Sequence, residues 1–222
     1  MTRDSILLTI AVLGGTGKEG KGLAYRWAKA GYRVIIGSRT AEKAESAAAD
    51  LNEILGYETV NGMENGAAAQ AADILVLTVP YSAHASTLEM IQDAAQGKIL
   101  VDVTVPLVPP KVTKVQMPSA GSAAQEAQSI LGDDVNVVAA FQNISHEHLF
   151  GENPINCDVL VTGRGREARL EVLKLVEAAG MQGWDAGQIE NSVVVEGLTS
   201  LLIYINKQNG VKSAGIQITG IK

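Results

Sequence analysis

The chain has 222 residues, of which 46% are hydrophobic and 19% charged, a composition typical of a globular protein that can bury a substantial core. Its formal net charge of −6 excludes a general nucleic-acid binder, which needs a basic face, but permits an anionic ligand held by backbone N–H groups. Cys157 is the single cysteine, so an internal disulfide is impossible, and we expect a cytoplasmic protein.

Strand-like and helix-like stretches alternate along most of the chain. Continuous apolar runs bounded by glycine or proline predict buried strands, and apolar residues three or four positions apart predict helices that cover a sheet. The predicted strands cover 6–13, 32–37, 58–61, 74–79, 99–103, 135–140 and 159–162, and the predicted helices cover 18–30, 40–55, 66–71, 83–94, 122–131 and 167–179. This order predicts an α/β fold with a Rossmann-type, doubly wound, mostly parallel sheet.

The C-terminal segment differs from the rest of the chain in its polarity. Residues 193–205 are apolar nearly all round, which predicts a helix buried on several sides but too short to span a bilayer, so no membrane partner is expected. We expect this helix at the interface of a homodimer; burial between the sheet and the tail 211–222 is the alternative. The predicted domains are a Rossmann domain, 1–186, and a C-terminal helix and tail, 187–222.

A glycine-rich turn between the first strand and the first helix has the pattern G-x-G-x-x-G, with Gly15, Gly17 and Gly20 at its three glycine positions. In this context the first glycine makes the tight turn, the second lets the backbone approach a pyrophosphate, and the third packs the helix on the strand. The N-terminus of the helix then offers free N–H groups to the phosphates. The motif predicts a dinucleotide site; a purely structural turn is the alternative.

The end of the second strand indicates which dinucleotide binds. A site selective for NAD places Asp or Glu there to bind the ribose 2′-OH, whereas this chain has Ser38 and Arg39, with Lys43 one helical turn later. A hydroxyl and two cations pair with a 2′-phosphate, which a carboxylate would repel. We therefore predict that NADP(H) is preferred; ordinary surface cations on a solvated loop are the alternative.

Few side chains could act as acid or base in hydride transfer. The candidates are His84, His146, His148, Lys207 and Tyr81. His84 follows the fourth strand, where the nicotinamide end of a cofactor would pass, or it is a solvated residue at a helix start. His146 and His148 could ligate a metal together, but a third ligand is not evident, so we expect no metal site. Glu196, within the apolar helix, is interpreted as a hydrogen-bonded structural carboxylate, and no catalytic residue is certain.

A combination of motifs is far more specific than the glycine turn alone. The motifs are 13–17, 20–24, 37–39 with Lys43, 73–80, 106–108, 185–187, 191–192, Glu196, 198–199, Leu201 and 209–210. In this combination the chain resembles, over essentially its whole length, the coenzyme F420-dependent NADP oxidoreductases. The resemblance implies hydride transfer between NADP(H) and C5 of the deazaflavin F420, which accepts hydride directly and would explain the lack of a strong acid or base.

The resemblance also implies which residues bind the two coenzymes. The NADP phosphates would contact Thr16, Gly17, Lys18, Glu19, Ser38, Arg39 and Lys43, and the nicotinamide end would be lined by Val79, Pro80 and Val105. The deazaflavin would lie in a cleft closed by the C-terminal segment, near Gln142, Asn143 and Ala214-Gly215. Catalysis would then be mainly the positioning of the two rings, with Pro80, Gln142 and Asn143 as the positioning residues.

Three departures from the family pattern concern the second substrate. Gln142 stands where some members carry histidine, Tyr81 stands where tryptophan can occur, and the loop 145–148 replaces a turn that contains proline. One alternative function is an NADPH-dependent ferric or flavin reductase. Another is a small imine or β-hydroxyacid dehydrogenase. That class usually has a lysine one helical turn from an asparagine in the helix after the Rossmann sheet, whereas Asn206-Lys207 comes late and in the wrong order here. A redox sensor that binds NADP without turnover is the third.

Overall fold

A sheet of eight strands forms the centre of the protein in the computed structural model, which describes residues 8–151 and 154–221. The strands are β1 (Thr9–Leu13), β2 (Arg33–Ser38), β3 (Val60–Glu64), β4 (Ile74–Leu77), β5 (Ile99–Asp102), β6 (Asn136–Ala139), β7 (Asp158–Gly163) and β8 (Gln182–Gly187). The helices are α1 (Lys18–Lys29), α2 (Ala41–Leu55), α3 (Asn65–Ala71), α4 (His84–Ala95), α5 (Ala123–Leu131), α6 (Arg166–Ala178) and α7 (Ser192–Asn209). Short 3-10 turns cover Tyr81–Ala83, His146–His148 and Ile189–Asn191.

The order of the strands creates a crevice at the carboxyl edge of the sheet. The order is β3-β2-β1-β4-β5-β6-β7-β8, and every neighbouring pair is parallel except β6 and β7. The chain proceeds from β1 to β2 and β3 on one side and returns to β4 on the other. The loops after β1 and β4 therefore diverge, and ligands of doubly wound folds bind at such a point. The predicted Rossmann-type, doubly wound and mostly parallel fold is confirmed.

Two hydrophobic cores lie on opposite faces of the sheet. One lies under α1, α2 and α6 and contains Trp27, whose indole N–H donates to the carbonyl oxygen of Leu175 at 2.8 Å and whose ring meets Phe141 edge-on. The other lies under α3, α4 and α5 and contains Leu77 and Leu88. The central strands are buried on both faces, which is why their sequences are continuous apolar runs.

The predicted elements agree with the structure except at the edges of the sheet. The first predicted strand begins at residue 6, and residues 6 and 7 lie outside the described residues. The sequence does not predict β8, which is a half-exposed edge strand without an apolar run. The short strand predicted at 58–61 lies at Val60–Glu64. The predicted domain division after residue 186 falls at the end of β8 and stays a prediction.

Helix α7 is buried on only one side within a single chain. It buries Val195, Glu196 and Leu202 but leaves Val194 63% and Leu201 51% exposed, so the prediction of burial on several sides is wrong for the chain by itself. The alternative of burial between sheet and tail also fails for these two residues. Instead the tail runs beside β7, where the backbone N–H of Asp158 donates to the carbonyl oxygen of Ile216 at 2.8 Å. Within the described part of the chain, every helix is too short or too polar to cross a membrane.

Candidate active site

The glycine turn after β1 is closed by backbone hydrogen bonds and has no room for side chains on its inner side. The N–H of Gly15 lies 3.1 Å from the carbonyl oxygen of Val12 and 3.0 Å from that of Gly37. A Cβ atom on Gly15 would lie 2.6 Å from the Val12 oxygen, and one on Gly20 would lie 2.7 Å from Gly15 Cα. A Cβ on Gly17 would meet nothing nearer than 3.9 Å, so this glycine borders open space. The geometry fits a turn that admits a pyrophosphate beside Gly17.

The first turn of α1 presents its backbone N–H groups to this open space. Gly17 precedes the helix in an extended conformation and gives it no side-chain cap, and the first helical bond joins Lys21 N–H to the Gly17 carbonyl oxygen at 2.9 Å. The N–H groups of Lys18 and Glu19 precede that bond and are available to an anion. Burial raises the pKa of the Glu19 carboxyl to about 8, and its Oε1 has no partner among the described residues. The raised pKa reduces the negative charge that the Glu19 side chain would present to a phosphate bound at its N–H.

Asn65 holds the glycine turn, and the sequence did not point to it. Its Oδ1 accepts the N–H of Gly14 at 3.1 Å and would lie 2.7 Å from a Cβ atom on Gly37. The residue is buried at the first position of α3, 51 residues from Gly14 along the chain. Asn65 thus holds the turn after β1 and packs against the end of β2. A contact between such distant residues has no local sequence signal.

The residues predicted to select the 2′-phosphate lie together at the end of β2. Ser38 is the last residue of the strand and is buried, whereas Arg39 and Lys43 are exposed. Neither cation forms an ion pair within the described ranges. Lys43 also lines a shallow groove between the glycine turn and α2, together with Thr16, Lys21, Glu42, Ser46 and Ala47. The groove thus joins the turn to the predicted phosphate clamp.

The nicotinamide-end residues predicted from the resemblance follow β4 and β5 at the same edge of the sheet. Val79 lies against the glycine turn, because a Cβ atom on Gly14 would lie 2.5 Å from its Cγ1. Pro80 follows it and is exposed, and Val105 is half-buried three residues after β5. The ends of β1, β4 and β5 therefore form one wall beside the crevice.

Three buried polar atoms near this wall have no hydrogen-bond partner among the described residues. They are Thr104 Oγ1, Gln142 Oε1 and Asn143 Oδ1. The amide nitrogen of Gln142 donates to the carbonyl oxygen of Asp102, and that of Asn143 donates to the carbonyl oxygen of Asp158, each at 2.7 Å. Native proteins rarely leave buried polar atoms unpaired, so these three atoms are candidates for binding a ligand or water.

The C-terminal tail lies next to the same residues. The Nδ2 of Asn143 is 3.3 Å from the sulfur of Cys157, and a Cβ atom on Gly215 would lie 2.5 Å from that sulfur. The half-buried Ala214 is held by its N–H, which donates to Asn206 Oδ1 at 2.9 Å. The structure therefore brings the predicted residues Asn143 and Gly215 together at Cys157, immediately before β7.

The acid–base candidates occupy different places. His84 is fully buried between Asp102 and Glu126, so the alternative of a solvated histidine is wrong. Both oxygens of the buried Glu196 carboxyl accept the first N–H groups of α5, at 2.7 and 3.0 Å, which confirms its structural role. Lys207 is exposed in the last turn of α7. Among the described residues no three His, Cys, Asp or Glu side chains are grouped to hold a metal ion.

Comparison with known proteins links this geometry to one family. A family model described as NADP oxidoreductase coenzyme F420-dependent matches residues 9–106. The F420-dependent NADP reductase of Methanocaldococcus jannaschii is 41% identical over 224 residues, covering 97% of this chain and 100% of that protein. The F420-dependent NADP reductase of Methanothermobacter marburgensis is 43% identical over 223 residues, covering 96% of this chain and 99% of that protein.

A solved structure gives the same fold. A candidate F420-dependent NADP reductase from Arthrobacter sp. FB24 superposes with a TM-score of 0.78 and 24% sequence identity. The alignment covers 96% of this chain and 100% of that chain. At this level of identity the likeness concerns the fold alone.

Proposed function

This chain belongs to the family of F420-dependent NADP reductases, and we propose that it catalyses hydride transfer between NADP(H) and coenzyme F420. The observation that carries the proposal is the similarity over nearly the whole chain, which includes both the glycine turn and the C-terminal segment. The alternatives of a ferric or flavin reductase and of a redox sensor have no comparable support, since a metalloreductase matches this chain at only 27% identity and over 36% of its own length. We therefore favour the deazaflavin as the second substrate.

NADP is proposed to bind across the carboxyl edge of β1 and β2. Its pyrophosphate would accept backbone N–H groups of Gly17, Lys18 and Glu19, with the Thr16 hydroxyl beside it. Its 2′-phosphate would pair with Ser38, Arg39 and Lys43. Support comes from the open space at Gly17 and from two exposed cations that have no ion pair within the described ranges.

F420 is proposed to bind over the nicotinamide end of NADP, between the strand ends and the tail. The deazaflavin exchanges hydride directly with the nicotinamide, so the task of the protein is to hold two rings in contact. Val79, Pro80 and Val105 would exclude water from the reacting edge. The unpaired oxygens of Gln142 and Asn143 would accept N–H groups of the ligands, which is a role that Gln142 can fill without the charge of a histidine.

A direct assay tests the proposed activity. We expect the purified protein to bleach the visible absorbance of oxidised F420 when NADPH is present, and to restore it when reduced F420 meets NADP. NADPH should support the reaction far better than NADH. Faster reduction of FMN or of iron chelates than of F420 would favour the flavin or ferric reductase. Stoichiometric NADPH binding without turnover on any acceptor would favour the redox sensor.

We also propose that the protein is a homodimer that pairs through α7. Four apolar residues of α7 are 45–63% exposed and form a stripe along one face of the helix. Leu201, Tyr204 and Ile205 follow Val194 by seven, ten and eleven positions. An exposed apolar stripe of this kind on a soluble protein marks an association surface. The side of α7 opposite this stripe already packs on its own chain, so a second copy of the helix is the partner we propose.

The dimer has a simple test. We expect the mass of a dimer in light scattering, and Leu201→Glu should shift it to a monomer because a charge would be buried in an apolar interface. Met90→Glu, an exposed apolar residue on α4, is the matched control and should leave the mass unchanged. A monomeric wild type, or a dimer that persists in Leu201→Glu, would contradict this interface.

We infer a cytoplasmic location for the enzyme. The support is its single, unpaired and buried cysteine, which indicates that folding does not depend on an oxidising compartment. The proposed exchange of hydride with NADP(H), a diffusible coenzyme, fits this location. Fractionation of cells that express the protein would test the inference.

A further inference from the structure

A line of polar side chains lies behind the proposed nicotinamide end. None of them has a role in the hydride transfer proposed above. His84, the first residue of α4, is fully buried between two carboxylates. Its Nε2 lies 2.8 Å from Asp102 Oδ2, and its Nδ1 lies 3.0 Å from Glu126 Oε2. Asp102 is the inner end of the line, with a side chain 1% exposed, and Glu126 is the outer end, with a side chain 28% exposed.

The geometry suits a charged imidazole, because each ring nitrogen of His84 lies within hydrogen-bond distance of a carboxylate oxygen. Ionised carboxylates only accept hydrogen bonds, so both ring nitrogens of His84 must carry a proton to bond both neighbours. Burial by itself lowers the pKa of His84. The hydrogen bonds and charges of Asp102 and Glu126 together raise it by more than burial lowers it, so the pKa lies above its usual range. The raised pKa favours the charged imidazole that can donate to both carboxylates.

Two other ionisable groups face this line. The hydroxyl of Tyr81, in the turn before α4, donates to Glu126 Oε1 at 3.3 Å. The buried Glu196 of α7 lies close enough to interact with the charges of Asp102 and His84, and burial raises the pKa of Glu196 to about 8 against the opposing effect of two backbone N–H groups. The line therefore connects β5, α4, α5 and α7 behind the crevice.

Asp102 connects the line to the crevice. Its Oδ1 accepts the N–H of Thr104 at 2.9 Å, and its carbonyl oxygen accepts the side-chain amide of Gln142 at 2.7 Å. Thr104 Oγ1 and Gln142 Oε1 are two of the buried atoms without a partner. The Asp102 carboxylate that His84 contacts therefore also anchors the backbone of Thr104, and the main chain of the same residue anchors the Gln142 side chain.

We propose that His84 is a positioning residue for hydride transfer: bonded to both Asp102 and Glu126, it fixes Asp102, which orients Thr104 and Gln142 toward the reacting rings. The inference rests on the proposed function, because the rings are those of NADP and F420. His84 acts through Asp102, and the groups that would touch the ligands are the hydroxyl of Thr104 and the amide oxygen of Gln142. Small displacements of such groups cost rate more than affinity.

The kinetic test uses His84→Gln and Glu126→Gln in the NADPH-driven reduction of F420. We expect kcat of His84→Gln to fall roughly 10- to 100-fold, while KM for NADPH stays within about threefold of wild type. Glu126→Gln keeps the shape of the partly exposed outer residue and provides a second variant if His84→Gln is poorly folded. Glu89→Gln, an exposed carboxylate on α4, is the matched control.

The pH profile provides a readout that a merely structural histidine would not move. The paired state of His84 is complete below the usual histidine pKa and is lost as pH rises through its raised value, so kcat should fall on the alkaline side. Glu126→Gln removes one of the two raising carboxylates and should move this alkaline limb to lower pH. Nitrogen chemical shifts of the imidazole should show both nitrogens of His84 protonated in wild type at pH 7, and His84→Gln assigns the signal.

The outcomes separate the inference from the proposed function. Wild type that fails to reduce F420 counts against the proposed function alone, and the emission of bound NADPH then tests whether His84→Gln changes the surroundings of the nicotinamide ring. The inference is overturned by a neutral His84 at pH 7. If wild type is active, the inference is also overturned when His84→Gln has the kcat and the pH profile of wild type. If wild type is inactive, the inference is overturned when His84→Gln leaves the emission of bound NADPH unchanged.

Discussion

Gly17→Ala is expected to weaken NADPH binding roughly 30-fold, about 2 kcal/mol, through the loss of one hydrogen bond to a charged phosphate. Its temperature of thermal unfolding should stay close to that of wild type. A Cβ atom at Gly17 meets no protein atom nearer than 3.9 Å, and the backbone there is extended, so alanine fits the free protein. The same Cβ occupies the space through which the proposed pyrophosphate approaches the N–H groups of α1. Titration of NADPH fluorescence gives the affinity, and calorimetry gives the stability.

Two other glycines separate binding from folding in this experiment. Gly66→Ala is the matched control, because this helical glycine also has open space around it but lies outside the proposed site; both affinity and stability should be kept. Gly20→Ala should destabilise the fold itself, since its Cβ would lie 2.7 Å from Gly15 Cα. An unchanged NADPH affinity in Gly17→Ala would show that the pyrophosphate does not lie on this turn.

The central part of the fold could be predicted because its physical causes are local. A strand covered on both faces is apolar along most of its length, so β1, β2, β4 and β5 are visible as runs in the sequence. The edge strand β8 could not be predicted in this way. It pairs on one side only, and its residues, which include Asp185 and two glycines, form no apolar run.

Some residues of the candidate site could likewise be predicted from the sequence, and others could not. The glycine turn and the residues after β2 lie in short segments whose spacing carries the chemistry, so Gly17 and Arg39 were within reach of sequence reasoning. Asn65 and the line from Glu126 to Asp102 were not, because their contacts join residues 18 to 51 positions apart. For His84 the sequence left two alternatives, and only the burial of its ring decides between them.

The exposed stripe on α7 has a similar explanation. An apolar helix can be buried by its own chain or by a second copy, and the sequence pattern is identical in the two cases. The structure of one chain leaves Val194 and Leu201 exposed, which favours the second copy. The pattern predicted the need for burial but could not identify the partner.

Arg39→Ala combined with Lys43→Ala should lower the preference for NADPH over NADH roughly 100-fold, from two charge-assisted contacts of about 1.5 kcal/mol each at exposed positions. The affinity for NADH should change little, because NADH has no 2′-phosphate to pair with either cation. Arg39→Ala by itself should account for roughly tenfold of the loss. Dissociation constants for both nucleotides, measured by fluorescence titration at one fixed salt concentration, give the ratio directly.

Arg33→Ala is the matched control for charge. Arg33 is an exposed cation at the first position of β2, at the opposite end of the strand from Ser38, so its removal changes the net charge without touching the proposed clamp. Raising the salt concentration should weaken NADPH binding in wild type and Arg33→Ala more than in the double variant, because exposed ion pairs are screened. If Arg39→Ala kept the wild-type ratio of NADPH to NADH affinity, the 2′-phosphate would have to bind elsewhere.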